Sequence, residues 1–152
     1  MLKQKLQEDL KKSMLAKDAP KTSTLRMLIS AIGYYEIQKG GAGYEATDED
    51  VLSVIGREVK QRNDSIEQFM TAAREDLAAK ELKEKSFLEV YLPEQMSEED
   101  IRRIVADAIT KTGASTPQDM GKVMGVLMPQ IKGKADGGLV SKIVKESLFP
   151  TE

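Results

Sequence analysis

Apolar residues recur with a helical period along the whole chain, and nowhere with the strict alternation of a half-buried strand. Leu2, Leu6, Leu10 and Met14 return every four residues and draw one stripe along a first helix, which Pro20 interrupts. A second helix carries Leu25, Leu28, Ile29, Ile32 and Tyr35 and ends before Gly40-Gly41-Ala42-Gly43. Thr47, followed by Asp48, Glu49 and Asp50, reads as an N-cap with acids in the first turn, where the helix dipole favours them. The third helix then runs through Val51, Leu52, Ile55, Val59, Ile66 and Phe69. After a break near Ala72-Ala73, a fourth carries Leu77, Leu82, Phe87, Leu88 and Tyr91.

Pro93 stops that helix, and residues 93–96 read as a linker. The start signal then repeats as Ser97 with Glu98, Glu99 and Asp100. A fifth helix holds Ile101, Ile104, Val105, Ala108 and Ile109, and Gly113 closes it in a left-handed conformation. Thr116-Pro117 predicts a cap with proline at the first helical position of a sixth helix, which carries Met120, Val123, Met124, Leu127 and Met128. Asp136 caps a seventh with Leu139, Val140, Ile143, Val144 and Leu148. The pattern predicts an all-α chain: an N-terminal long-helix bundle over 1–92 and a small three-helix domain over 97–152.

Absent residue types narrow the chemistry. The 152 residues include no histidine, cysteine or tryptophan. Ser-His-Asp and Cys-His nucleophilic machinery, Cys/His zinc sites and thiol redox chemistry are therefore excluded. The acidic runs at 48–50 and 98–100 each follow a helix-capping Thr or Ser and are assigned to dipole complementation. No catalytic residue, metal ligand or cofactor is assigned. The longest uncharged stretches, Met27–Tyr35 and Val123–Ile131, have nine residues each. A membrane span needs about 18 or more. The basic start has acids at Glu8 and Asp9 and no apolar signal core, so a cytoplasmic, unprocessed protein is expected.

The net charge of −2 hides a division along the chain. Residues 1–43 carry +4, residues 44–100 carry −9 and residues 101–152 carry +3. Within 122–145 there are five lysines, Lys122, Lys132, Lys134, Lys142 and Lys145, against one acid, Asp136. On a helical projection Lys122 falls opposite the apolar arc of the sixth helix, and Lys142 with Lys145 falls away from that of the seventh. These five are the candidate RNA-binding residues. Only Phe149 among the aromatics follows the linker, so such a surface would grip phosphates and shape rather than stack splayed bases. The methionines of the sixth helix are read as core. Gly121, Gly125 and Gly133 are read as points of close packing or backbone approach, because a helical glycine costs roughly 1 kcal/mol relative to alanine.

Several of these stretches resemble one family. The run 119–129 (DMGKVMGVLMP), then 132–137 (KGKADG), is similar to the signature of the YqeY family. So are Leu25-Arg26-Met27-Leu28, Arg57-Glu58-Val59-Lys60-Gln61-Arg62, and Tyr91-Leu92-Pro93-Glu94-Gln95 followed by Ser97-Glu98-Glu99. The family is the stand-alone relative of the C-terminal part of the tRNA-dependent amidotransferase B subunit, the GatB/YqeY group. The resemblance implies a helical domain followed by a helical tail of the kind that contacts tRNA in the amidotransferase. It also brings a label, carbon–nitrogen ligase activity with glutamine as amido donor. No stretch here matches the catalytic part that performs this chemistry. The resemblance therefore implies a bacterial, cytoplasmic, tRNA-binding or tRNA-associated accessory protein. Two other readings stand beside it. One is an adaptor whose acidic helices in 44–100 dock an amidotransferase or ribosomal protein. The other is an in-trans helper of tRNA amidation.

Overall fold

The computed structural model describes residues 1–149, and its regular structure is all helical. Among these residues the helices are α1 (Leu2–Leu15), α2 (Ala19–Gly40), α3 (Asp48–Thr71), α4 (Glu75–Glu89), α5 (Glu98–Thr112), α6 (Met120–Ile131) and α7 (Gly137–Leu148). A 3-10 turn, Pro117–Asp119, precedes α6. The chain divides into two compact units, the first covering Met1–Leu92 and the second beginning at Pro93.

In the first unit α2 touches α1, α3 and α4. Its core joins Leu6 of α1, Leu25, Leu28 and Ile32 of α2, Val51, Val54, Ile55 and Val59 of α3, and Leu88 of α4. Tyr91 ties the end of α4 back to α1 by donating its hydroxyl to Asp9 at 2.6 Å. Pro20 does not end the first helix, as its position suggested. It lies in the first turn of α2, where its missing N–H costs nothing, and Asp18 caps that helix by accepting from the Lys21 N–H.

The acids at 48–50 do more than face a dipole. Thr47 and Asp50 form a capping box, with Thr47 Oγ1 accepting from the Asp50 N–H and Asp50 Oδ2 from the Thr47 N–H. The same buried carboxylate also accepts from Tyr35 Oη at 2.7 Å, Lys39 Nζ at 2.6 Å and Tyr44 Oη at 2.7 Å. The Lys39 ammonium lies 5.4 Å from the centres of both tyrosine rings. One carboxylate thus fastens both ends of the glycine-rich turn between α2 and α3.

That carboxylate has a predicted signature in acid. Lys39 foremost, then the Tyr44 and Tyr35 hydroxyls, hold the Asp50 carboxyl far below its ordinary value of 3.8. A depressed folded value gives a stability contribution that is complete above that ordinary value and is lost as the pH falls below it. Asp50→Asn is therefore expected to lower stability at neutral pH. It should also flatten the acid limb by up to about one proton of slope, read from urea midpoints across a pH series. A variant whose acid limb parallels the parent's would refute this.

The second unit packs α5, α6 and α7 around Ile101, Val105, Ala108, Val123, Leu127, Ile131, Val140, Ile143, Val144 and Leu148. Ser97 caps α5 by accepting from the Asp100 N–H. Gly113 ends it at φ +67, in the left-handed region. Thr116 and Asp119 form a capping box around the 3-10 turn, so α6 begins at Met120 and not at Pro117. The methionines are only partly core: Met120 and Met124 pack against the cluster, but Met128 is 43% exposed. At 100° per residue Met128 stands about 100° from the centre of the buried row Val123, Leu127 and Ile131.

Residues 93–96 do not hang as a linker. Gln95 Nε2 donates to the Gly133 carbonyl at 3.0 Å and to the Pro93 carbonyl at 2.9 Å. The Met96 N–H donates to the Lys134 carbonyl at 2.9 Å. The segment is a clasp on the α6–α7 turn.

Candidate functional site

The candidate surface is built on the outer side of α6, the α6–α7 turn and α7. Lys122, Lys132, Lys134, Lys142 and Lys145 are all exposed. Their placement follows from the core. In α6 the buried residues are Val123, Leu127 and Ile131, which leaves Lys122 about 140° away from their mean direction. In α7 the buried residues are Val140, Ile143, Val144 and Leu148, and Lys142 and Lys145 share the opposite side. Burying the apolar rows is what puts the ammonium groups outside.

Lys132 and Lys134 stand on a turn of fixed shape. Gly133 has φ +78, a conformation that suits glycine. The Lys134 N–H donates to the Ile131 carbonyl at 2.8 Å, and the 93–96 clasp holds the turn from outside. The turn fixes where the two lysine side chains leave the backbone, while their exposed stems keep rotamer freedom.

The acids of this unit are mostly occupied elsewhere. Asp119 Oδ2 accepts from the Ser115 and Thr116 N–H groups and from the Thr116 hydroxyl. The two N–H donors, the hydroxyl and then the charge of Lys122 lower its carboxyl below the ordinary 3.8. Asp136 accepts from the Gly138 N–H as the cap of α7. Glu146, the acid nearest in sequence to Lys142 and Lys145, pairs with Arg102 of α5 at 3.3 Å, and Arg102 also holds Glu98 at 2.7 Å. Among the described residues Lys134, Lys142 and Lys145 form no ion pair. The arrangement is a cationic surface suited to anions. The described residues include no cluster of three or more candidate metal ligands.

The close approach expected at Gly121 and Gly125 is not present. A Cβ at either position would meet nothing within 4 Å, and at Gly133 only Pro93 Cγ, at 3.9 Å. Gly121 and Gly125 lie on the solvent side of α6, opposite Val123, Leu127 and Ile131. Gly133 is explained by its backbone conformation rather than by packing. A stability result follows: Gly121→Ala and Gly125→Ala should each raise unfolding free energy by up to about 1 kcal/mol, measured by urea unfolding. A destabilised alanine variant would contradict the open geometry.

Other motif residues proved structural. Glu58 and Glu84, both partly buried, form an ion cluster with the buried Arg62 between α3 and α4. Neither this cluster nor the Asp50 cluster is legible in the sequence, because each joins residues from different helices. The spacing Glu58 to Arg62 is the one local signal.

Known proteins resemble this chain over most of its length. The model of the family described as Yqey-like protein matches residues 3–148. The chain is similar to the protein named "Altered inheritance of mitochondria protein 41, mitochondrial" of Pyrenophora tritici-repentis, with 34% identity over 145 residues, covering 93% of this chain and 78% of the relative. The protein of that name in Clavispora lusitaniae is 33% identical, covering 96% and 84%. The one in Kluyveromyces lactis is 37% identical, covering 86% and 67%.

These relatives overturn the expected cytoplasmic location, since they are named as mitochondrial proteins. Charge pattern and the lack of a long apolar helix do not distinguish one aqueous compartment from another, so the expectation had no physical hold. The relatives are fungal, and a bacterial origin gains no support from them. The family description and these names carry neither tRNA binding nor amide transfer with them. They do fix the kinship: with nearly its whole length matched, the chain belongs to the YqeY family.

Proposed function

We propose that the second unit is a phosphate-contacting RNA-binding module, and that the chain acts as a tRNA-associated accessory protein without a catalytic centre of its own. The observation that carries this reading is the set of five exposed lysines on α6, α7 and their fixed turn, with the neighbouring acids engaged in caps and ion pairs. An anionic polymer is the ligand class that uses several such charges at once. The unit offers Phe149 as its aromatic residue, 39% exposed, so base stacking contributes little and the backbone is the natural target. Structured RNA presents phosphates at fixed spacing, which suits lysines rooted on two helices and a turn of fixed backbone shape.

Filter binding of the full chain to two unrelated tRNAs tests the reading. Both should be retained at low salt with similar affinity. The double variant Lys142→Gln/Lys145→Gln should weaken both equally, because phosphate contacts carry no sequence information. No retention of either tRNA at low salt would refute it, and so would retention that the double variant leaves unchanged.

A further inference from the structure

Helix α2 has a second apolar face that the first unit does not cover. Its buried residues, Thr24, Leu25, Leu28 and Ile32, point one way. On the opposite side Met27, Tyr34 and Ile37 are 53%, 72% and 67% exposed. Ser23 and Ser30 are exposed on that side too. The series Ser23, Met27, Ser30, Tyr34, Ile37 steps by four and three residues in alternation. That is the spacing of a helix-pairing seam, narrower than the stripe a helix buries in a globular core. The face is nearly free of charge: Lys21, Glu36 and Lys39 project towards the core side, leaving Arg26 alone. The Arg26 guanidinium contacts Met14 Sδ at 3.8 Å and has no carboxylate partner among the described residues.

Two pairs of positions along this seam are complementary in size about Ser30, and a third sets a cation opposite an aromatic ring. Met27 and Gly33 lie three residues from it on either side, Arg26 and Tyr34 four, and Ser23 and Ile37 seven. Two α2 helices running antiparallel about a two-fold axis at Ser30 would set Met27 against Gly33 and Ile37 against Ser23. Arg26 would lie over the Tyr34 ring, and every contact would be made twice. Met27 and Ile37 each meet a small residue, and the lone charge meets the face of Tyr34 instead of its like. The site of a Cβ on Gly33 has nothing within 4 Å, so Met27 of another copy finds room there. A partner of unrelated sequence would not require large and small positions to mirror about one residue.

We infer that a second copy of this chain covers the outer face of α2, in an antiparallel two-fold helix pair centred on Ser30. The 22 residues of α2 span about 33 Å. A seam of that length buries roughly 500 Å² per copy, short of the roughly 800 Å² of a standard interface. Such an area belongs to weak, transient pairs, and concentrations from about 1 µM to 1 mM cover the range in which they form.

Sedimentation equilibrium of the full chain over a series spanning that range is the test. A monomer–dimer equilibrium is expected. Ser30→Arg, which sets two guanidinium groups against each other on the axis, should raise Kd at least about tenfold while leaving the melting temperature unchanged, since Ser30 is exposed. The absence of cysteine permits a second reading. Under mild oxidation Ser30→Cys should cross-link into dimers, because residues on the axis of closely paired helices fall within disulfide reach, and Ala106→Cys on α5 should not. A monomer at every concentration overturns the proposal and leaves the face to another protein. A dimer that survives Ser30→Arg, or equal cross-linking of both cysteine variants, overturns it as well.

Discussion

Replacing Arg62 by methionine is expected to cost about 3–5 kcal/mol of unfolding free energy. The Arg62 side chain is 6% exposed, and its two carboxylate partners, Glu58 and Glu84, are 17% and 16% exposed. One guanidinium nitrogen donates to Glu58 Oε2 at 2.9 Å and to the Glu58 carbonyl at 3.2 Å. Nε lies 3.5 Å from Glu84 Oε2, an ion pair without hydrogen-bond geometry, so this nitrogen has no hydrogen-bond partner. Removing the cation leaves two poorly hydrated carboxylates facing each other between α3 and α4. The penalty therefore comes from the uncompensated charges that stay behind more than from the bonds Arg62 itself makes.

A second outcome is then obligatory. The triple variant Arg62→Met/Glu58→Leu/Glu84→Met should recover most of the loss, because an apolar cluster of similar volume carries no desolvation cost. Urea unfolding of the three proteins decides the matter. A single variant that loses less than about 1 kcal/mol would mean the cluster is solvated, and a triple variant no better than the single would mean that the ion set itself is stabilising.

Leu127→Ala is the second large effect, and it should be confined to one unit. Leu127 is fully buried among Val105, Val123, Ile131, Ile143 and Val144. Truncating such a leucine costs about 2–5 kcal/mol through lost transfer energy and the cavity left behind. A unit of 60 residues buries a smaller share of its surface than a larger domain and has little stability in reserve. The core around Leu25, Leu28, Ile32 and Ile55 shares no residue with the core around Leu127. Amide resonances of α5–α7 should therefore collapse to unfolded positions while those of α1–α4 persist. Retention of tRNA should vanish with them. Simultaneous loss of both sets of resonances would contradict the division, and tRNA retention by the variant would remove the second unit from the binding surface.

Much of the fold was legible because its signals are local. Thr47 with Asp50, Ser97 with Asp100, Asp136 and Gly113 sit where caps are needed, and each is decided by neighbours within a few residues. The buried rows of α6 and α7 follow from spacing alone, and so does the exposure of Lys122, Lys142 and Lys145. What escaped the sequence is what depends on partners from elsewhere. Pro20 reads equally as the end of one helix or the first turn of the next, and the Asp18 cap decides it. Gly121 and Gly125 share a side of α6, but spacing cannot tell whether another backbone meets that side. Asp50 looks like any first-turn acid until Tyr35, Lys39 and Tyr44 are brought to it from across the turn. The clasp of Gln95 on Gly133 spans 38 residues and has no local signature.

The salt dependence of tRNA binding counts the phosphates that the lysines neutralise. If four or five lysines neutralise phosphates, log K should fall with log[salt] with a slope of roughly −3 to −4. In Lys142→Gln/Lys145→Gln the slope should be shallower by about 2, one for each lost phosphate contact. A flat dependence, or a slope that the double variant shares with the parent chain, would contradict the account.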